Sequence, residues 1–245
     1  LARRLNYDGL SLPEDILLAT CGVDTQKDRL EAQVMGWGKN YEAWVIEYKV
    51  FWGDPNAVNV WNELDLYLKS RFKTESGRSI RISATCIDSG GHHTNQVYSF
   101  TKPRQGRRIF AIKGASVAGK PIVSKPTFVG KNQAALYSVG TDTAKENIFA
   151  RLNAEDDVTT LHFPFDLGEE YFKQLTAEKR ITKWIRGRKS LAWKQIRPRN
   201  EALDVTVYNF AAIYILNPNF DVIEDRLLTG AKNNQDPSDT GSFKP

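Results

Sequence analysis

The sequence predicts an α/β domain built on a mixed sheet: an antiparallel three-strand meander, then parallel strands, flanked by helices and carrying a basic β-hairpin insertion. Three observations predict it. Apolar and β-branched runs with tight connections fill residues 17–24, 29–34 and 41–50. Beyond residue 60 helical patterns alternate with short apolar strands. Late in the chain, Arg-Gly-Arg-Lys separates ITKWI from SLAWKQI, a hairpin signal with Gly187 in the turn.

Residues 1–16 mix charge, Gly and Pro without a period and are expected to be a linker. LLATCGVD (17–24) is a short buried strand. Leu30, Ala32 and Val34 alternate with Arg29, Glu31 and Gln33, the pattern of a half-buried second strand. YEAWVIEYKV (41–50) is the third. Trp61, Leu64, Leu68 and Phe72 form one helical stripe. IRISATCID (80–88) and RRIFAIKG (107–114) are strands with a short helix between them at 94–101. The basic, Gly- and Pro-rich stretch 114–134 is expected to be a mobile surface segment. ALYSVG (135–140) is a strand, and Thr141 or Asp142 is expected to cap a helix over 143–152, with Glu146 completing a capping box. LHFP (161–164) is extended, 169–179 is helical, and Glu201 to Leu216 is the last strong helix. The segment from Thr229 has almost no apolar content and is expected to be disordered. A main domain therefore spans 17–228. The order β-β-β-α-β-α-β, an insertion and a late helix is the ribonuclease H-like topology.

Composition limits the function classes. No run of 18 apolar residues exists, so a membrane span is not expected. With Cys21 and Cys86 alone there is neither a disulfide framework nor a four-ligand zinc site. A reducing, cytoplasmic setting follows. The net charge of +5 hides a segregation. Residues 101–132 hold eight Lys/Arg, and residues 179–199 hold nine, with no Asp or Glu in either stretch. Such strips on an otherwise acidic body suit a phosphate-rich partner, although solvated basic loops would look the same. Lys113, Lys183, Arg186, Arg188, Lys189 and Lys194 are the candidate DNA contacts. Trp184 and Trp193 stand among them, suited to stacking or to hairpin packing.

Asp24 closes the first strand and Asp88 the fourth. Glu201 and Asp204 lie at i and i+3 on the last helix, hence on one face. In the ribonuclease H-like arrangement these positions converge. Gathered acids repel one another, and divalent cations with hard oxygen preference, Mg²⁺ or Mn²⁺, relieve the repulsion. Asp24 is expected to bridge two ions, Asp88 to hold one, and Asp204, with or without Glu201, to hold the other. Each acid also has a structural alternative: a turn cap for Asp24, a polar Asp-Ser-Gly-Gly loop for Asp88, and a pair with Arg199 for Glu201.

Other signals carry less. GASVAGKP (114–121) matches a phosphate-binding loop up to Lys120, but Pro121 replaces the required Ser or Thr and no helix pattern follows. His92 and His93 are expected in a polar loop near the acids, and both cysteines inside strands as structural thiols.

GVDTQKDRLE, GWG, CIDSGGHHTNQVY, AIKGASVAGKP, VGTDTAKENIFARL, LHFP, YFKQLTAE and RNEALDVTVYNFAA occur in this order. From about Leu17 to Asn217 the chain resembles the C-terminal nuclease part of the large terminase subunit of tailed double-stranded DNA bacteriophages, of the lambda-like type. The resemblance implies a metal-dependent endonuclease that cuts concatemeric double-stranded viral DNA during genome packaging in the host cytoplasm. It implies a preceding ATPase domain, absent here, a small subunit and a portal protein as partners. Its acids carry over onto Asp24, Asp88 and the Glu201/Asp204 pair. Two alternatives stand beside hydrolysis: a non-catalytic module that docks DNA or the portal, and a strand-transfer or junction-resolving nuclease of the same fold.

Overall fold

The computed structural model describes residues 4–129, 134–154, 160–185 and 188–233, with side chains except at 185, 188–190 and 230–233. Ten strands form one sheet. In chain order they are β1 (Arg4–Leu5), β2 (Leu18–Thr25), β3 (Arg29–Trp37), β4 (Ala43–Trp52), β5 (Arg71–Lys73), β6 (Ser79–Asp88), β7 (Ile109–Gly114), β8 (Thr127–Val129), β9 (Ala134–Val139) and β10 (Leu161–Pro164). Two more, β11 (Glu178–Ile185) and β12 (Arg188–Gln195), make a separate antiparallel hairpin. The helices are α1 (Val58–Tyr67), α2 (Thr94–Thr101), α3 (Thr141–Asn153), α4 (Glu169–Leu175), α5 (Glu201–Leu216) and α6 (Phe220–Asn233).

The sheet runs β1-β10-β4-β3-β2-β6-β7-β9-β8, with β5 pairing β6 off this path. β2, β3 and β4 are the antiparallel meander, and β2, β6, β7 and β9 are mutually parallel. Strand one of the meander thus lies beside the fourth long strand, the ribonuclease H-like order. Each face has its own core. Helices α3, α4 and α5 cover one, with Met35, Trp37, Ile148, Tyr171 and Phe210 among its buried residues. Helices α1 and α2 cover the other, over Leu30, Trp61, Leu64 and Phe100.

Helix α5 is apolar around most of its circumference, which suits a helix buried on several sides. Its residues from Glu201 to Ile213 are buried except Asp204, and Asn217 in the left-handed region followed by Pro218 ends it. It lies directly on β2. A Cβ placed on Gly22 would stand 2.1 Å from the Val205 carbonyl oxygen, so only glycine permits this approach.

A buried polar network locks that contact. The Thr20 hydroxyl donates to Asn209 Oδ1 (2.7 Å) and accepts from the Trp37 indole (2.8 Å). Asn209 Nδ2 donates to the Gln33 carbonyl (2.9 Å), and the Gln33 side chain joins Thr206 and Tyr171.

Several expectations need correction. The alternation in β3 implied one wet face, yet Glu31 and Gln33 are fully buried, because α5 covers the face they share. The first segment packs rather than leading in loosely. Arg4–Leu5 pair with β10, Tyr7 donates to the Val45 carbonyl, and Leu12 and Ile16 are buried. The first helix stops at Tyr67, and Phe72 reaches the core from β5. Within 114–134, Ile122 is buried and β8 pairs with β9; residues 130–133 lie outside the described set. Helix α3 starts after Gly140 without a side-chain cap, because the backbone of Lys120 and Pro121 crosses there. Glu146 instead pairs with Arg180. Helix α4 ends at Leu175, since Glu178 opens the hairpin. Helix α6 was not foreseen; it takes in Thr229 and continues to Asn233, while 234–245 lie outside the described residues.

Candidate metal centre

Asp24 and Asp88 end neighbouring parallel strands. Val23 pairs in register with Ile87, and the Thr25 hydroxyl donates to the Asp88 carbonyl at 3.3 Å. Helix α5 crosses β2 with Val205 over Gly22, which brings Asp204 to the same end of the sheet. The electrostatics register the convergence. Burial raises the Asp24 carboxyl from its ordinary 3.8 to about 8, with Asp204, Asp88 and Glu31 adding to the rise and a hydrogen bond from Gln26 opposing it. Burial likewise raises Asp204 to about 7; Lys145 opposes, while Glu178, Asp88 and Glu201 reinforce. Asp88 is raised by burial against the backbone N–H groups of Gly90 and Ser89 and the charge of Lys113. Tyr208, one turn along from Asp204, is also raised well above its ordinary value, by burial and then by all three acids. The phenol therefore borders the same spot.

Glu201 faces elsewhere. Its carboxylate pairs with Arg29 Nη2 at 2.8 Å and Arg199 Nε at 3.3 Å. The same two arginines hold Glu31, at 2.5 and 2.8 Å, and Tyr48 donates to Glu31 as well. Charge-assisted bonds of this kind satisfy Glu201 without a cation from solution. Among the described residues, by contrast, the Asp204 carboxylate accepts no hydrogen bond. Lys145, the cation that acts on it, is itself held by Glu178 at 2.7 and 2.8 Å, and Asn200 donates to Glu178 at 3.1 Å. The two helix acids thus divide: Asp204 joins Asp24 and Asp88, and Glu201 ties α5 to β3.

Lys113 stands exposed just past the residue paired with Asp88. In the hairpin, Arg180 pairs with Glu146 at 2.8 Å and Trp193 lies on Phe149, 4.8 Å between ring centroids. Those contacts dock one face of the hairpin on α3. Strand alternation puts Lys179, Lys183 and Lys194 on the other face, all exposed. Arg186 lies outside the described residues, as do the side chains of Arg188 and Lys189. Trp184 is 71% exposed, so of the two tryptophans it alone is free to stack on a ligand. His93 is buried beside the Asp88 loop, and its Nδ1 has no hydrogen-bond partner among the described residues. The Gly-Lys segment ends against Gly140, where Thr143 donates to the Lys120 carbonyl.

The donor set is all carboxylate oxygen, chemistry that fits Mg²⁺ or Mn²⁺ and disfavours softer ions. Among the described residues, however, no three His, Cys, Asp or Glu side chains form a ready ligand group for one ion. The acids are close enough to repel, and Gln26 donates a hydrogen bond to one Asp24 oxygen. No helix among the described residues is long and apolar enough to cross a membrane.

The sheet order, with acids ending its two central strands and a helix laid across them, defines a ribonuclease H-like domain. A family model described as the endonuclease domain of terminase large subunit gpA matches residues 1–226. The large terminase subunit of Escherichia phage lambda is 38% identical over 225 residues, 88% of this chain and 35% of that protein. That of Enterobacteria phage P21 is 33% identical over 214 residues, 84% of this chain and 33% of that protein. The chain belongs to the terminase large subunit endonuclease-domain family. It spans about a third of the length of these relatives. A crystal structure of the g2p large terminase nuclease domain from bacteriophage SPP1 with bound Mn aligns with a TM-score of 0.41 and 13% identity, over 85% of this chain and 95% of that one.

Proposed function

We propose that this endonuclease domain uses Asp24, Asp88 and Asp204 to hold two divalent ions, Mg²⁺ or Mn²⁺, and hydrolyses phosphodiesters of double-stranded DNA. The observation that carries the reading is the convergence, at one end of the sheet, of one buried and two half-buried carboxylates that repel one another, of which Asp204 accepts no hydrogen bond among the described residues. Buried acids without compensation are costly, and a bound cation supplies the compensation.

Asp24, whose carboxyl both other acids perturb, would be shared between the ions, with Asp88 and Asp204 as the further ligands. When bound, such ions would supply activation of a water and stabilisation of the charge that develops on the phosphodiester oxygens. Glu201 acts as a brace, fixing the first turn of α5 to β3 through Arg29. Lys113 meets a phosphate beside Asp88, and Lys179, Lys183 and Lys194 hold the duplex backbone without reading bases. In the phage this activity would cut concatemeric DNA during packaging in the host cytoplasm, with an ATPase domain, a small subunit and a portal protein as partners.

The test is nicking of supercoiled plasmid with Mg²⁺ or Mn²⁺. Wild type should cut, and Asp24→Ala should not while retaining its melting temperature. Undiminished cutting by a clean Asp24→Ala preparation would sink the assignment. A second reading, a module that binds DNA or the portal and cuts nothing, is favoured by the lack of a ready three-ligand group among the described side chains. Calorimetry with Mn²⁺ separates the two: absence of heat in both wild type and Asp88→Asn would favour the binder.

A further inference from the structure

A second basic surface lies at the other end of the sheet. A cleft of about 500 Å³ opens where the amino-terminal half of β6 passes beyond the start of β7. Its lining includes Lys69, Arg71, Arg81, Arg107 and Arg108, and no acid. Among the described residues only one neighbouring carboxylate, Asp65, pairs with any of the five, binding Lys69 at 2.6 Å and Arg107 at 2.6 Å. Arg71, Arg81 and Arg108 are exposed and make no ion pair among the described residues; Arg71 has only a 3.4 Å contact to the Ser79 hydroxyl.

Two features argue against incidental surface charge. Arg71 and Arg81 are directly opposed across the antiparallel β5–β6 pair, an arrangement in which like charges destabilise a sheet. Arg108 occupies the left-handed region (φ 57°) after a 3₁₀ turn, a place that glycine or asparagine fills more readily. Three unpaired guanidinium groups are therefore held together by strands and a constrained turn. Their forked donors match oxyanions bidentately.

We propose that this cleft binds the phosphate backbone of nucleic acid, as an anchor separate from the carboxylate end. Arg81 lies seven residues before Asp88 on β6, about 23 Å along a strand. Phosphates seated here are therefore not those being cut. The preference for nucleic acid over an acidic protein segment rests on the endonuclease reading of the domain; the cleft's chemistry rests on the residues themselves.

The experiment measures binding of a short DNA duplex in EDTA, where nothing is cut, across a series of salt concentrations. The variant Arg71→Gln/Arg81→Gln/Arg108→Asn should bind more weakly, with a salt slope shallower by about 2–3 units, at roughly 0.9 per lost phosphate contact. In wild type, the duplex should shield these three arginines from phenylglyoxal, read by mass spectrometry. That second measurement decides if the variant fails to fold. An unchanged slope, or equal modification with and without duplex, overturns the proposal. So does shielding by polyglutamate but not by duplex, which would assign the cleft to a protein partner. Because binding is read without metal, loss of the nuclease reading would leave this result intact, and plasmid nicking without shielding would remove the anchor alone.

Discussion

Gly22 on β2 and Val205 on α5 approach so closely that a methyl group on the glycine would lie 2.1 Å from the valine carbonyl oxygen. Asp204 is the residue before Val205, and Asp24 is two beyond Gly22, so the contact sets the distance between two candidate ligands. Gly22→Ala must push the helix off the strand. It should cost about 1–3 kcal/mol, as overpacking does, and reduce cleavage far more than duplex binding. Thermal melts with parallel cleavage and binding assays check this. An alanine variant with full activity would show that the helix acid need not sit so near.

The two helix acids should separate by experiment. Asp204→Asn should abolish Mn²⁺ binding in calorimetry while preserving the fold. Glu201→Gln weakens the Arg29 and Arg199 pairs, and breaking one partner of a buried ion pair costs about 3–5 kcal/mol at the upper end. It should lower the melting temperature and leave metal stoichiometry unchanged. The reverse pattern would exchange their roles.

The raised acids imply a pH dependence of stability. The metal-free folded protein keeps protons on Asp24 up to pH about 8 and on Asp204 up to about 7, whereas the unfolded chain releases them near its ordinary 3.8. A folded-state pKa above the unfolded one contributes stability that is complete below the lower value and is lost as pH rises through the higher. Melting temperature in EDTA should therefore fall between pH 5 and pH 8. Asp24→Asn should flatten that slope and gain about 1–3 kcal/mol at pH 8, each pKa unit corresponding to about 1.4 kcal/mol. Mn²⁺ should stabilise wild type more at pH 8 than at pH 5, since metal and protons compete for the same oxygens. A flat profile in EDTA would contradict the burial of uncompensated acids.

The hairpin's free face is a separate matter. Replacing Lys179, Lys183 and Lys194 by Gln should flatten the salt dependence of duplex binding by about 0.9 unit per lost contact. The docked face, held by Arg180–Glu146 and Trp193–Phe149, should keep the melting temperature unchanged. Constant slope would assign the lysines to solvent.

The buried network supporting α5 offers one more check. Asn209→Leu removes the donor to Gln33 and the acceptor for Thr20. Metal affinity should fall by about 10–100-fold, the scale seen when groups orienting a ligand are lost. Equal affinity in the variant would mean that the helix holds its place without the network.

Much of this was legible in the amino acids. The strand ends at Asp24 and Asp88 and helix α5 followed from apolar runs bounded by polar residues, and their order along the chain implied the sheet. What escaped was polar chemistry in buried places. Glu31 and Gln33 occupy the alternate positions that normally face water, and local pattern alone does not say that a helix nearly 170 residues later covers them. The same coverage hid Tyr208 and Asn209, which read as ordinary members of an apolar helix. Whether Glu201 or Asp204 faces the other acids depended on Arg29, a residue distant in sequence with no local mark. The basic stretch 101–132 also does not act as one strip: Arg104 and Arg107 turn to Asp65, Arg108 to the far cleft, and Lys113 to Asp88.

Helix α5 is sealed on nearly every side and bolted to β2 and β3 through Thr20, Gln33 and Asn209. Asp204 therefore rides on a helix clamped to the sheet that carries Asp24 and Asp88, so the backbone fixes how far apart the three aspartates start. A brake on the proposed cleavage would then act from outside, by governing which strand arrives and when.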